Sequence, residues 1–123
     1  MKTDKLDKAF SIYIRTRDTV DGIGNCCTCG KITEFKGGHC GHFISRRHQA
    51  TRFNEKNCAL QCVSCNTYNQ GRQYEFGLFI DKKYGKGTAE KLLIESRQVC
   101  KRGKTDIDLM TDFYKKETIK LKS

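Results

Sequence analysis

Apolar residues recur at helical spacing near the start of the chain. Leu6, Phe10, Tyr13 and Ile14 predict a helix over residues 4–17, with Thr3 or Asp4 as its N-cap. Gly22 and Gly24 end that run in a turn. From Cys26 to about Phe43 the pattern changes to cysteine, glycine and β-forming residues. Gly37-Gly38 there predicts a hairpin turn between strands at 31–36 and 39–44. A polar, Arg-bearing loop occupies 45–56, and a helix is expected over 57–70, interrupted by Gly71. Three amphipathic runs complete the pattern. They are 72–84 (Tyr74, Leu78, Phe79), 88–101 (Ala89, Leu92, Leu93, Val99), and a last one from Thr105 through Ile107, Met110, Phe113 and Tyr114. The expected fold class is α+β in a single domain: an N-terminal helix (1–21), a cysteine-pinned ββα core (22–70) and a helical extension (71–123).

Composition changes this picture in two ways. Only 37% of the residues are hydrophobic and 31% are charged, so the core is thin and calls for a staple. Eight cysteines are available for it. The N-terminal MKTDKLDKAF has no apolar stretch of signal-peptide length, and no segment approaches a membrane span. The expected setting is therefore the cytoplasm, where thiols stay reduced and Cys-x-x-Cys units hold metal rather than disulfides. Cys26-x-x-Cys29 and Cys62-x-x-Cys65 each place two thiolates on one tight turn, the geometry of a tetrahedral structural zinc site. Cys27 could stand in for Cys26, but only Cys26 has the required spacing to Cys29. The remaining thiols, Cys27, Cys40, Cys58 and Cys100, are read as small buried hydrophobes.

The second change is charge. The formal net charge is +10, which favours a polyanion such as DNA, RNA or an anionic membrane surface. Residues 43–75 are basic mainly through arginine, which suits phosphate, and 76–123 mainly through lysine. The lysines of the tail are equally well read as a solvated face. Arg46, Arg47, Arg52, Lys56 and Arg72 are the candidate DNA-backbone contacts, and His48 is a solvent or phosphate contact at most.

The 32 residues between the cysteine pairs hold the candidate chemistry. His42 falls near the end of the second expected strand, Asn57 just before the second pair, and Asn66 directly after Cys65. A histidine that takes a proton from water, an amide that orients it, and an oxygen ligand for a hard cation suffice to hydrolyse a phosphodiester. Taken singly, Asn57 could be a helix cap and Asn66 a turn residue.

These residues also carry a family likeness. Cys-x-x-Cys, Gly-His-Phe, Arg-Phe-Asn-Glu-x-Asn and Gln-Cys-x-x-Cys-Asn, in that order, resemble the HNH (ββα-metal) endonuclease superfamily. More closely, they resemble the phage NinG/Rap recombination nucleases, from Ile14-Arg15-Thr16-Arg17-Asp18 through Gly71 and Tyr74 to Tyr84-Gly85. The resemblance implies that His42 is the general base, that Asn57 braces the loop, and that Asn66 binds a catalytic Mg²⁺ or Mn²⁺. It also implies cutting of branched DNA, such as D-loops or Holliday junctions, in the cytoplasm of a phage host, with recombination proteins as partners. A homodimer would provide the two sites that symmetric junction cutting needs. Where many superfamily members carry an acid or histidine before the base, this chain has Gly41. His39, on the same strand face as residue 41, is the candidate replacement ligand. The alternative class is a non-catalytic zinc module that binds nucleic acid or assembles a recombination complex. A sequence-specific restriction or homing nuclease ranks lower, because so short a chain leaves little surface for reading a long site.

Overall fold

The computed structural model describes residues 2–123. Helix α1 (Asp4–Arg17) forms where the apolar spacing expects it and buries Leu6, Ala9, Phe10 and Ile14. Thr3 is its N-cap, but the Thr3 hydroxyl donates to the Asp7 carboxylate at 2.8 Å rather than accepting from the backbone. Two strands that the hydrophobic pattern did not predict follow. β1 (Thr19–Val20) and β2 (Ile23–Asn25) pair through a two-residue turn, and Asp21 and Gly22 both take positive φ there. That is the hairpin turn whose twist matches the strands, and Asp-Gly is its preferred sequence.

The expected hairpin of residues 31–36 and 39–44 is not formed. β3 (Ile32–Glu34) instead joins β2, completing a three-stranded sheet. β4 (His39–His42) pairs antiparallel with β5 (Cys58–Gln61), with His39 opposite Gln61 and His42 opposite Cys58. Gly37 and Gly38 keep negative φ and are not hairpin residues. Gly38 is a point of close approach instead: a Cβ there would lie 2.6 Å from Leu60 and 2.8 Å from the Glu34 carbonyl.

The helix expected over 57–70 is also corrected. A 3₁₀ turn at Glu55–Asn57 leads into β5, all four of whose residues are buried. Only after Cys62 does the chain coil, in a π-helical turn at Ser64–Tyr68. Pairing with β4 and burial on both faces override the local reading of a short apolar run. Between the paired strands lie the loop and a one-turn helix, α2 (Gln49–Arg52).

Helices α3 (Gln73–Tyr84), α4 (Thr88–Ser96) and α5 (Lys104–Lys122) follow. Their buried faces differ from the expected stripes. Phe76 and Ile80 are the buried residues of α3, whereas Tyr74 and Leu78 face solvent; Leu93 and Val99 are exposed. α1 packs along α5, where Phe10 meets Phe53 and Tyr114 edge-on at 5.5 and 5.0 Å. A second cluster gathers Ile44, Ala59, Phe76, Ile80 and Leu92.

One ion pair ties the helical layer to the strands. Arg17 forks onto Asp18 and donates to the carbonyls of Glu55 and Cys58, while Asp18 accepts from the Leu60 N–H. The end of α1 is thereby pinned to the start of β5. No helix among the described residues is long and apolar enough to cross a membrane.

Candidate metal centre and cleft

Cys26, Cys29, Cys62 and Cys65 converge, with every sulfur within 4.8 Å of the others. Cys29 and Cys62 lie 3.8 Å apart. A zinc ion bonding thiolates at about 2.3 Å sets them about 3.8 Å from one another in a tetrahedron. Burial opposes ionisation of Cys26. The backbone N–H groups of Cys62, Cys29 and Thr28 and the Thr28 hydroxyl outweigh it, holding the thiol down at about 6. The Cys65 N–H likewise points at the Cys62 sulfur, at 3.4 Å. Donor set, spacing and N–H···S contacts fit a structural zinc ion. Cys27 lies outside the quartet and packs against the second apolar cluster instead.

The quartet holds the turn that presents Asn66 close to β4. The Asn66 side-chain amide meets His39 Nδ1 at 2.9 Å. Adjacent ligands about 2.1 Å from a six-coordinate ion lie about 3.0 Å apart, so this pair already has the separation of two such ligands. His42 lies on the opposite face of the same strand, with Nε2 3.0 Å from the Arg52 carbonyl. Burial, the Arg46 and Arg52 charges outweighing two backbone carbonyls, pushes its pKa down to about 4, so the ring is neutral at neutral pH. A cleft of about 420 Å³ at the free edge of β4 is lined by His39, His42 and Asn66 together, with Lys8, Arg15 and Arg46 on its rim.

Asn57 is fully buried. Its side chain accepts from the Ile44 N–H at 2.8 Å and donates to the carbonyls of Ile44 and Thr51, closing the loop between β4 and β5. Capping falls to Asn54 instead, whose side chain accepts from the Lys56 N–H.

Gly41 has a structural reason. A Cβ there would lie 2.3 Å from Gln61 Oε1, so an acid has no room. Gln61 is itself buried and donates to the Thr28 hydroxyl and the Gly71 carbonyl, tying β5 to both ends of the cysteine knuckle.

The basic candidates separate. Arg46 borders the cleft and Arg47 is exposed. Arg52 is committed within the protein: its guanidinium forks onto Asp7 at 2.9 and 2.7 Å and also bonds the Arg46 carbonyl. Lys56 leans over the Tyr84 ring, and Arg72 is exposed near Glu75; neither lines the cleft. Lys8 and Arg15, which do, escaped the sequence reading because they sit on α1, far along the chain from the motifs.

A family model described as Bacteriophage Lambda NinG protein matches residues 2–123. No curated protein and no solved structure matches the chain.

Proposed function

The chain belongs to the NinG family, and from that premise we propose that it is a metal-dependent DNA endonuclease of the HNH (ββα-metal) type. The observation that carries this reading is the single cleft that gathers His39, His42 and Asn66. They reach it from a unit in the order strand, Asn-braced loop, strand, helical turn. That order supports a ββα-metal reading, with β4 and β5 as its strands.

His42 is the base. The Arg52 carbonyl at 3.0 Å fixes one ring nitrogen as the donor, so the other carries the lone pair that takes a proton from water. His39 and Asn66 would hold a divalent ion, and that ion would supply Lewis-acid stabilisation of charge on the scissile phosphate and leaving oxygen. Once the amide turns its oxygen inward, the pair offers one imidazole nitrogen and one oxygen. Manganese accepts that mixed set more readily than magnesium does. Lys8, Arg15 and Arg46 steer and seat the phosphate backbone, consistent with the net charge of +10. A structural zinc ion in the cysteine quartet would fix Asn66 relative to β4. Branched recombination intermediates are the proposed substrate, and a dimer would supply the two cuts.

The test compares wild type with His42→Ala on a four-way junction, a D-loop and linear duplex, in Mg²⁺ or Mn²⁺. The wild type is expected to cut the branched DNA. His42→Ala is expected to bind equally and cut about 10²–10⁴-fold more slowly. Binding by both and cutting by neither would instead establish a non-catalytic zinc module, and discrete fragments from linear duplex would indicate a sequence-specific nuclease.

A further inference from the structure

Cys40 and Cys58, read from the sequence as apolar filler, share one face of the β4–β5 pair with His42. Cys58 stands directly across from His42 in the ladder, and Cys40 is two residues before His42 on the same strand. Their two sulfurs and a ring nitrogen of His42 all lie within 4.8 Å of one another, the same bound that the cysteine quartet meets. We propose that Cys40, His42 and Cys58 form a second metal site, distinct from the quartet, that takes a thiophilic divalent cation of the zinc class.

Four features of the site support this. Two thiolates and an imidazole are a soft donor set that selects Zn²⁺ over Mg²⁺. Three protein ligands leave a tetrahedral ion with an open fourth position. The cleft supplies access to that position, since Cys40 and His42 both line it. The histidine also has the outer partner that metal-bound imidazoles usually keep: Nε2 meets the Arg52 carbonyl at 3.0 Å, a contact that binding through Nδ1 would preserve. The Cys58 thiol donates to that same carbonyl at 4.0 Å and gives up this proton when the ion binds. Binding releases the two thiol protons to solvent and needs no oxidant or reductant.

The consequence for catalysis rests on the nuclease reading; the binding itself does not. The ring nitrogen that would hold zinc here is the one that would accept a proton from water, so a zinc-loaded triad and an active base exclude each other.

The experiment counts zinc by native mass spectrometry on the full chain equilibrated with Zn²⁺ and desalted, for wild type, Cys40→Ser, His42→Gln and Cys58→Ala. The wild type is expected to carry two ions and each variant one, the ion retained in the quartet showing that the variant has folded. A wild type that holds one ion overturns the proposal, as does retention of two ions by all three variants. In a parallel arm, Zn²⁺ beyond the first equivalent suppresses Mn²⁺-dependent cutting by the wild type. If the protein cuts nothing under any condition, the nuclease reading fails while the ion count still decides the site.

Discussion

The two ends of this small protein are held by different physics. On one side α1 and α5 enclose a conventional apolar cluster: Leu6, Ala9, Phe10, Ile14, Phe53, Ile107 and Tyr114. On the other, the buried cluster around the knuckle consists of Cys26, Cys62 and Cys65 alone, while Val20, Ile23 and Ile32 on the adjoining sheet face solvent. The cleft lies on the seam between these ends. Cys40 and Cys58 turn toward the apolar side, whereas Asn66 follows the last cysteine of the quartet. The position of His42 is therefore set by packing and that of Asn66 by the sulfur cluster. A site built this way should lose its two halves by different routes.

The largest effect is expected from removing the quartet's metal. Structural zinc contributes about 10–16 kcal/mol of apparent binding free energy at neutral pH, comparable to or larger than the ~5–15 kcal/mol stability of a whole domain. Chelation, or Cys62→Ser, should therefore unfold the chain, seen as loss of helical circular dichroism and of protease resistance together. Retention of helical signal with protection confined to α1 and α5 would show instead that the apolar side folds by itself. The next largest effect lies on that apolar side. Phe10 is fully buried between Phe53 and Tyr114, and Phe10→Ala should cost about 3–5 kcal/mol in urea unfolding. Below the transition, zinc content should stay at the wild-type value. A drop in zinc content would mean the two ends are not separable.

The two ends were also unequally legible. α1 could be placed because its apolar residues repeat at helical spacing, and the quartet because each Cys-x-x-Cys is a complete local signal. β5 could not be placed: Cys58-Ala59-Leu60-Gln61 is a short run buried on both faces, and nothing local separates it from a helix. The β1–β2 hairpin carried an Asp21-Gly22 signal, but its strands are two and three residues long and mostly exposed, so no alternation of buried and exposed positions marks them. Of the candidate site residues, motif order singles out His39, His42, Asn57 and Asn66, and the structure puts three of them on one cleft and the fourth in the loop beside it. Arg17, Asp18 and Gln61 were not found, because each takes its role from partners ten to some forty residues away in sequence. The pairing of Arg52 is hidden from sequence for the same reason, since its partner Asp7 lies on α1.

Acid should attack the seam next. The folded protein holds His42 at about 4, against an ordinary value near 6.5 in the unfolded chain. Above pH ~6.5 both states are neutral, and the group's contribution to stability is fully present. As the pH falls from there toward 4, the unfolded chain binds the proton first and the folded state loses up to about 3 kcal/mol. Urea midpoints measured across that window should slope downward in the wild type and be flatter in His42→Gln, with zinc held at the single equivalent that the quartet takes. An equal slope in both would remove His42 as the cause and point to protonation of the quartet.

The smallest effect separates two arginines that share one partner. Asp7 accepts both prongs of Arg52, whose side chain is 16% exposed, and lies 3.4 Å from Arg46, whose side chain is 56% exposed. Desolvation would raise the Asp7 pKa, but hydrogen bonds from Arg52 and Thr3 and the charges of Arg52 and Arg46 hold it below the usual carboxylate value. Lysine keeps the charge at position 52 but cannot reproduce the fork or reach the Arg46 carbonyl with a second N–H. Arg52→Lys should therefore cost about 1 kcal/mol of stability. It should leave the salt dependence of DNA binding unchanged, because that guanidinium is already committed. Arg46→Ala should do the reverse: unfolding midpoints within error of wild type, weaker binding to any DNA, and a shallower dependence of affinity on salt by about one phosphate contact. If Arg52→Lys were the variant that flattened the salt dependence, the Asp7 fork would have to open on DNA, and the seam would be a mobile part of the binding surface rather than a fixed one.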